Sequence, residues 1–232
     1  MSIDVGFIVT AFFELLDALP LTLVITIVPL LFGFVIGVAT ALIRMYKVKV
    51  LHRIADAYVS FLRGTPVILH VFLIYWGLPM LSTHYGWGIK TASIPILSFV
   101  LTAFSLTAGA YMSEIIRSGL LAVNRGQIEA AYSVGMSTPQ ALRRIVLPQA
   151  IGVILPNLCN LFVGFLHTST FAFAFSQMEL LGKASVVASN NLKFLEAYIA
   201  AALIYWGITV VAERLTAYLE KRATTYNRGG VT

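Results

Sequence analysis

The sequence predicts an all-α integral membrane protein with five transmembrane helices, its N-terminus outside the cell and its C-terminus in the cytoplasm. Three observations carry this prediction. Hydrophobic residues make up 59% of the 232 and charged residues 11%, whereas a soluble domain carries about 25% charged residues; mean hydropathy is +0.87. So few charges cannot cover a globular surface. Second, apolar runs long enough to cross a hydrocarbon core, about 20 residues, recur along the chain. Third, basic residues gather on one side of those runs.

Residues 1–18 read as an extracytoplasmic N-terminal segment. This stretch has no Lys or Arg and no small-residue cleavage site, so it lacks the plan of a signal peptide and is expected to stay on the mature chain. The first span is Leu19–Ile43. Within it Gly33, Gly37 and Ala41 form a small-xxx-small row, which lets a neighbouring helix of the same bundle approach closely. The second span is Ala55–Met80, the third Ile94–Leu121, the fourth Ala150–Ser176 and the last Phe194–Tyr218. The transmembrane domain thus occupies 19–218, and 219–232 form a cytoplasmic tail.

Basic residues mark the cytoplasmic side. Arg44, Lys47, Lys49 and Arg53 follow the first span. Arg125, Arg143 and Arg144 follow the third, with Arg117 at its edge, and Arg214, Lys221, Arg222 and Arg228 accompany the last. The other side holds only Lys90, Lys183 and Lys193. Topology therefore accounts for the net charge of +6, and no basic face is left over for nucleic acid. Cys159 is the single cysteine, which excludes an intrachain disulfide.

The loop at about 123–149 lies between the third and fourth spans and is expected in the cytoplasm. It contains most of "EAAYSVGMSTPQALRRIVLPQA" (Glu129–Ala150), unusually polar and turn-rich for so apolar a chain. "QIEAAYSV" favours a short helix, and Gly135 falls where a left-handed C-terminal stop belongs. "STPQALRRIVL" starts a second helix, with Thr138 as its cap and Pro139 at the first helical position, where a missing N–H costs nothing. Pro148 then bends the chain into the fourth span. Such a rigid helix–turn–helix serves either as a docking knob or as an interfacial loop whose Arg143 and Arg144 touch lipid headgroups.

The spacing separates these readings. Glu129, Ala130 and Ala131, then Gly135, Ile145, Leu147 and Pro148, reproduce the pattern EAA…G…I.LP. In this the chain resembles the membrane subunits of ATP-binding-cassette (ABC) importers. "FLRGTPVILHVFLIYWGLP" (Phe61–Pro79) resembles the RGTP…FxxYFGLP signature of the polar amino-acid permease branch, the His/Glu/Gln/Arg/opine type. "AYMSEIIRSGLLAVNRGQIEAA" resembles that branch's run into the loop, so the resemblance covers nearly the whole chain.

The resemblance implies a type I ABC importer permease fold in the multi-pass cell membrane of a prokaryote. It implies three partners besides membrane lipid: an ABC ATPase subunit, an extracytoplasmic solute-binding protein, and a second permease subunit, identical or related. ATP and Mg would bind the ATPase, and this chain would bind no cofactor. Its loop would be a coupling helix, with Glu129, Ala130, Ala131 and Gly135 docking on the ATPase and Ile145, Leu147 and Pro148 anchoring the element to the fourth span. A GxxxxGK[ST] loop is absent; the nearest run, "YGWGIKT" (Tyr85–Thr91), has Ile89 between Gly88 and Lys90.

Ionisable groups within a bilayer are costly and mark pairing or function. Arg63, heading the RGTP run that includes Thr65, either meets a substrate carboxylate or pairs with Glu114 or with carbonyls freed by Pro66. The structural role is favoured, because the motif belongs to the whole branch. Glu114 and Arg117 are three apart and can pair on one helix face, as a structural or gate pair. His70, where many members carry Gln, either hydrogen-bonds an amino acid or is a satisfied buried histidine. The fourth span departs from the branch: "FLHTSTF" stands where relatives read something like LLKDTSL. His167, Thr168, Ser169 and Thr170 therefore join Arg63, Thr65 and His70 as substrate-pathway candidates, the alternative being hydroxyls bonded back to helix carbonyls. The loss of fixed charge points to a zwitterionic cargo, such as cystine or a neutral polar amino acid. No HExxH or clustered Cys gives a metal site.

The expected function is thus an ATP-driven importer permease for a polar amino acid, a transport subunit and not an enzyme. A stand-alone secondary carrier or channel would show internal repeats or paired broken helices, and none is evident. An intramembrane enzyme would need Gly-x-Ser-x-Gly, a metal pair or a buried acid pair, and the sequence has none of these.

Overall fold

The computed structural model describes residues 3–88 and 90–228. Ile89 of the YGWGIKT run and residues 229–232 of the tail lie outside them. The described residues form helices and no strand. Asp4 caps α1 (Val5–Leu15), its carboxylate accepting from the Phe7 N–H at 2.9 Å. A 3-10 turn, Leu16–Ala18, leads into α2 (Leu19–Met45). Pro20 falls in the first turn of α2, where no N–H partner is lost. The N-terminal segment is therefore helical from Val5, and Ala11 and Leu15 bury against α9 (Leu180–Asn191) and α10 (Phe194–Arg228). Lys193 fastens this contact through an ion pair with Asp4 at 2.6 Å.

The second span, expected as one helix over Ala55–Met80, is divided. Thr65 takes an extended backbone, φ −127° and ψ 151°, the conformation that the ring of Pro66 favours for the residue before it. The products are α3 (Leu51–Gly64) and α4 (Val67–His84). Of the two, only α4 is long and apolar enough to cross a membrane. α3 buries Ala55, Val59 and Leu62 on one face and exposes Arg53, Asp56 and Arg63, the amphipathic pattern of an interfacial helix. It lies against α5 (Ile96–Leu121). There the Tyr58 hydroxyl donates to the Leu106 carbonyl at 2.5 Å, and burial pushes that phenol up to about 12.

α5 is the most buried span. A Cβ on Gly33 would sit 2.5 Å from that of Ala108, and one on Gly37 would sit 2.7 Å from that of Met112. The small-residue row of α2 thus seats α5 of the same chain at a range no larger side chain permits. In lipid such contact is held by packing, since the surrounding tails are as apolar as the helices. Ile25, Val100, Phe104 and Phe165 extend the core around this pair.

α8 (Leu147–Thr168) is entered through a π turn, Leu142–Val146, and left through a 3-10 segment, Ser169–Phe175. Among the described residues five helical runs are long and apolar enough to span: Val5–Met45, Val67–His84, Ile96–Leu121, Thr138–Phe175 and Phe194–Arg222. Beyond the 3-10 segment, Glu179 is fully buried and caps α9, accepting from Gly182 N–H at 2.8 Å, Leu181 N–H at 3.0 Å and the Tyr205 hydroxyl at 2.9 Å. Burial pushes its carboxyl above the ordinary range, although these three donors pull the other way. The Leu180 N–H next to it reaches the Thr22 hydroxyl of α2 at 2.9 Å.

Candidate functional site

Between α5 and α8 the chain forms a compact hairpin. α6 (Arg125–Ser133) is capped by Asn124, which accepts from the Gly126 N–H at 2.8 Å. It ends in a Schellman turn, with Met136 N–H donating to Ala131 O at 3.0 Å and Gly135 N–H to Tyr132 O at 2.9 Å. Gly135 has φ 81°, where an L-side chain crowds the backbone carbonyl. α7 (Thr138–Ala141) follows, and its cap is Ser137 rather than the expected Thr138. The Gln140 side chain accepts from the Ser137 N–H at 2.9 Å, the reciprocal bond of a capping box; Ala141, three residues after Thr138, cannot make it. Thr138 instead accepts from the Tyr132 hydroxyl at 3.4 Å, bracing the two arms.

Pro148, expected to bend the chain into the fourth span, stands in a run that stays helical. It lies in the first turn of α8, directly after the π turn. Proline offers no N–H to the carbonyl four residues back, and the wider turn absorbs that misfit. The helical run is continuous from Thr138 to Phe175.

The hairpin has an inward and an outward face. Val146 packs with Val123 and Ala150, joining the element to the ends of α5 and α8. Ile145 and Pro148 are half-buried and Leu147 is exposed, so the firm anchor is Val146, which the sequence pattern did not single out. Glu129, Ala130 and Gly135 are exposed, but Ala131 is 4% exposed. Its small side chain permits close packing within the hairpin, not against an outside surface. Val134 is 73% exposed at the tip. An apolar residue just before a glycine stop was the available signal for it.

Above the hairpin, charged side chains converge on Glu114 of α5. Arg44 from the end of α2 bonds it, Arg117 does so at 2.8 Å, and Arg63 approaches to 3.9 Å. Arg44 also holds Asp56 of α3 at 2.6 Å. The structure thus brings together Glu114, Arg117 and Arg63, and adds Arg44 and Asp56, whose roles lie in contacts remote in sequence. Three guanidinium groups meet two carboxylates, so one positive charge is left over. Arg63 makes the longest of these pairs, is 44% exposed, and lies 5.6 Å over the Tyr111 ring.

His70 is 2% exposed. Its Nε2 lies 2.7 Å from the Thr65 hydroxyl and its Nδ1 lies 2.8 Å from the Thr107 hydroxyl. The same hydroxyls reach the carbonyls of Phe61 at 2.7 Å and Ala103 at 2.9 Å. Both ring nitrogens are therefore occupied in tying the α3–α4 break to α5.

A cleft of about 370 Å³ lies among α4, α5 and α8, lined in part by Val67, Tyr111, Asn157, Asn160, Gly164 and Thr168. Steps of three and four residues place the last four on one face of α8. The consecutive run His167–Thr170 cannot share a face, because each helical residue turns the side chain by about 100°. Only Thr168 of that run lines the cleft. Ser169 is fully buried, and the hydroxyls of Thr168, Ser169 and Thr170 bond back to the carbonyls of Gly164, Leu166 and His167 at 2.8, 2.7 and 2.7 Å. The His167 ring faces Tyr205 of α10, centroids 6.4 Å apart. Tyr111, Asn157 and Asn160 are candidates that sequence reasoning missed, although the stripe on α8 was legible in their spacing.

Comparison with known proteins agrees with this architecture. Residues 33–225 match the family model described as binding-protein-dependent transport system inner membrane component. The chain is 39% identical over 220 residues to the "Probable amino-acid permease protein YxeN" of Bacillus subtilis (strain 168), across 95% of this chain and 96% of that protein. It is 38% identical over 204 residues to the L-cystine transport system permease protein TcyL of the same organism, across 88% of this chain and 84% of the other. A crystal structure of an amino acid ABC transporter with histidines superposes with a TM-score of 0.81 at 32% identity, covering 96% of this chain and 100% of that chain.

Proposed function

The chain belongs to the family of binding-protein-dependent transport system inner membrane components, and from that premise we propose how it couples ATP to the passage of its solute. It is the membrane-spanning permease subunit of an ABC importer, a multi-pass protein of the bacterial inner membrane, and ATP is hydrolysed on a separate subunit. The α6–α7 hairpin faces the cytoplasm and docks on that ATPase, which carries the nucleotide and its Mg. Two permease subunits form the pathway, identical or related. ATP binding draws their two hairpins together and swings the spans between outward and inward openings. The observation that carries this reading is the hairpin itself, bare at its tip yet locked to α5 and α8 by Val123, Val146 and Ala150. A stiff element can transmit force to two spans at once.

The solute is a polar amino acid handed over by an extracytoplasmic binding protein. Relatives named for amino acids and for L-cystine support this. So does the cleft, whose about 370 Å³ is at the small end of ligand sites, about 300–1,000 Å³. The charge left over at Arg63, beside Tyr111, suits a carboxylate, and the oxygens of Asn157, Asn160 and Thr168 suit an ammonium group. A zwitterion such as cystine fits both.

The test is uptake of labelled amino acids into proteoliposomes holding the permease, its cognate ATPase and its binding protein, with ATP inside and outside the vesicle in separate runs. Uptake should require ATP on the ATPase side and vanish when the ATPase is omitted. Undiminished uptake without the ATPase would instead establish a stand-alone carrier.

A further inference from the structure

A second and larger cavity, about 620 Å³, opens beside the hairpin and is not used by the transport reading. Val38 and Leu42 of α2, Ile116 and Leu120 of α5, and Ile151 and Leu155 of α8 form its walls. The α2 wall runs from Phe34 to Met45 and the α8 wall from Leu147 to Leu158, each about 17 Å long at 1.5 Å per residue. The hydrocarbon core of a bilayer is about 30 Å thick, so the groove has roughly the depth of one leaflet. Its inner end is apolar. Its outer end gathers Tyr46, Arg125, Tyr132 and Thr138, the aromatic and cationic side chains that settle at headgroup level.

The cations at this end differ from those around Glu114. Arg44, Arg63 and Arg117 all lie within 4 Å of that carboxylate. Among the described residues Arg125 has no acidic partner, and neither do Arg143 and Arg144 in the adjoining π turn.

We propose that the groove is a binding site for an anionic phospholipid of the adjacent leaflet, with an acyl chain between α2 and α8 and the phosphate on Arg125. Polarity, depth and charge agree with that occupant together. An extended segment of the ATPase would bring backbone N–H and C=O groups against walls that offer them no partners, which is costly. Since Tyr132 and Thr138 brace the two arms of the hairpin and also line the groove, the lipid bears directly on the coupling element. This site does not depend on the transport reading, and its test reads lipid rather than uptake.

The experiment is native mass spectrometry of the full chain in detergent, titrated with phosphatidylglycerol or phosphatidylcholine. One phosphatidylglycerol per chain should be retained in preference to phosphatidylcholine. Arg125→Gln should reduce that preference about fivefold, the weight of one surface cation on an anionic lipid. Ile151→Trp, which fills the groove, should lower retention of both lipids, and Val38→Phe on the facing wall does the same if the first variant fails to fold. Inorganic phosphate should not displace the lipid. Retention unchanged in the folded variants, equal retention of the two lipids, displacement by phosphate alone, or a permease or ATPase segment found seated in the groove would overturn the assignment.

Discussion

At His70 four hydrogen bonds compete for three protons. The threonine hydroxyls each supply one and a neutral imidazole supplies one, while contacts to Thr65, Thr107, Phe61 O and Ala103 O ask for four. One hydroxyl must therefore turn from its carbonyl to the ring, and both ring nitrogens are engaged within the chain. Glu179 shows a different conflict, between burial and three donors. Because burial raises its carboxyl above the ordinary range in the folded chain, the fold holds its proton to higher pH than the unfolded chain does. Its contribution to stability is then complete below the ordinary carboxylate range and declines as pH rises through the raised value. Glu179→Gln should accordingly gain thermal stability on the wild type as pH is raised from about 4 to about 8, measured by unfolding in detergent. A gap that shrinks over that range would contradict the assignment. At this scale the sequence revealed what is local. The Glu114–Arg117 pair follows from spacing of three and Gly135 from its turn, but Arg44 meets Glu114 across 70 positions, and no local pattern announces that.

Among the elements, the break at Thr65 and the cap at Ser137 are set by local backbone chemistry rather than by hydropathy. The second span looks like one apolar helix from Ala55 to Met80, yet Pro66 disfavours a helical residue before it, Thr65 is extended, and α3 turns aside as an amphipathic helix. Likewise a capping residue is chosen by what stands three positions on: Gln140 selects Ser137 over Thr138. The π turn before Pro148 was not legible, because no local residue pattern distinguishes it from an ordinary helical turn. The Schellman turn at Gly135 yields the prediction at this scale. Its left-handed φ of 81° costs an L-residue about 1–2 kcal/mol, and a β-branched one is excluded more strongly. No neighbouring atom lies within 4 Å of a Cβ placed there, so Gly135→Val should strain only the turn. The variant should insert in the membrane and assemble normally while ATP-driven uptake falls at least about tenfold, as expected if the knob no longer seats. Uptake at the wild-type rate would count against a rigid coupling hairpin.

For the molecule as a whole, five crossings and the polar loop between the third and fourth were readable because lipid leaves a chain few options. Which faces of those helices meet was not readable, since hydropathy is nearly uniform around a buried or lipid-facing helix. The small row at Gly33 and Gly37 was the exception, as only close approach explains it. Under the proposed function the hairpin stands in the cytoplasm and carries force from a separate ATPase to α5 and α8. The most direct test places a single cysteine at Val134, in a Cys159→Ala background, and treats oriented membrane vesicles with a membrane-impermeant thiol reagent. Val134→Cys should be labelled only in inverted vesicles, and bound ATPase should protect it. Labelling in right-side-out vesicles, or labelling in inverted vesicles that the ATPase leaves undiminished, would contradict the account.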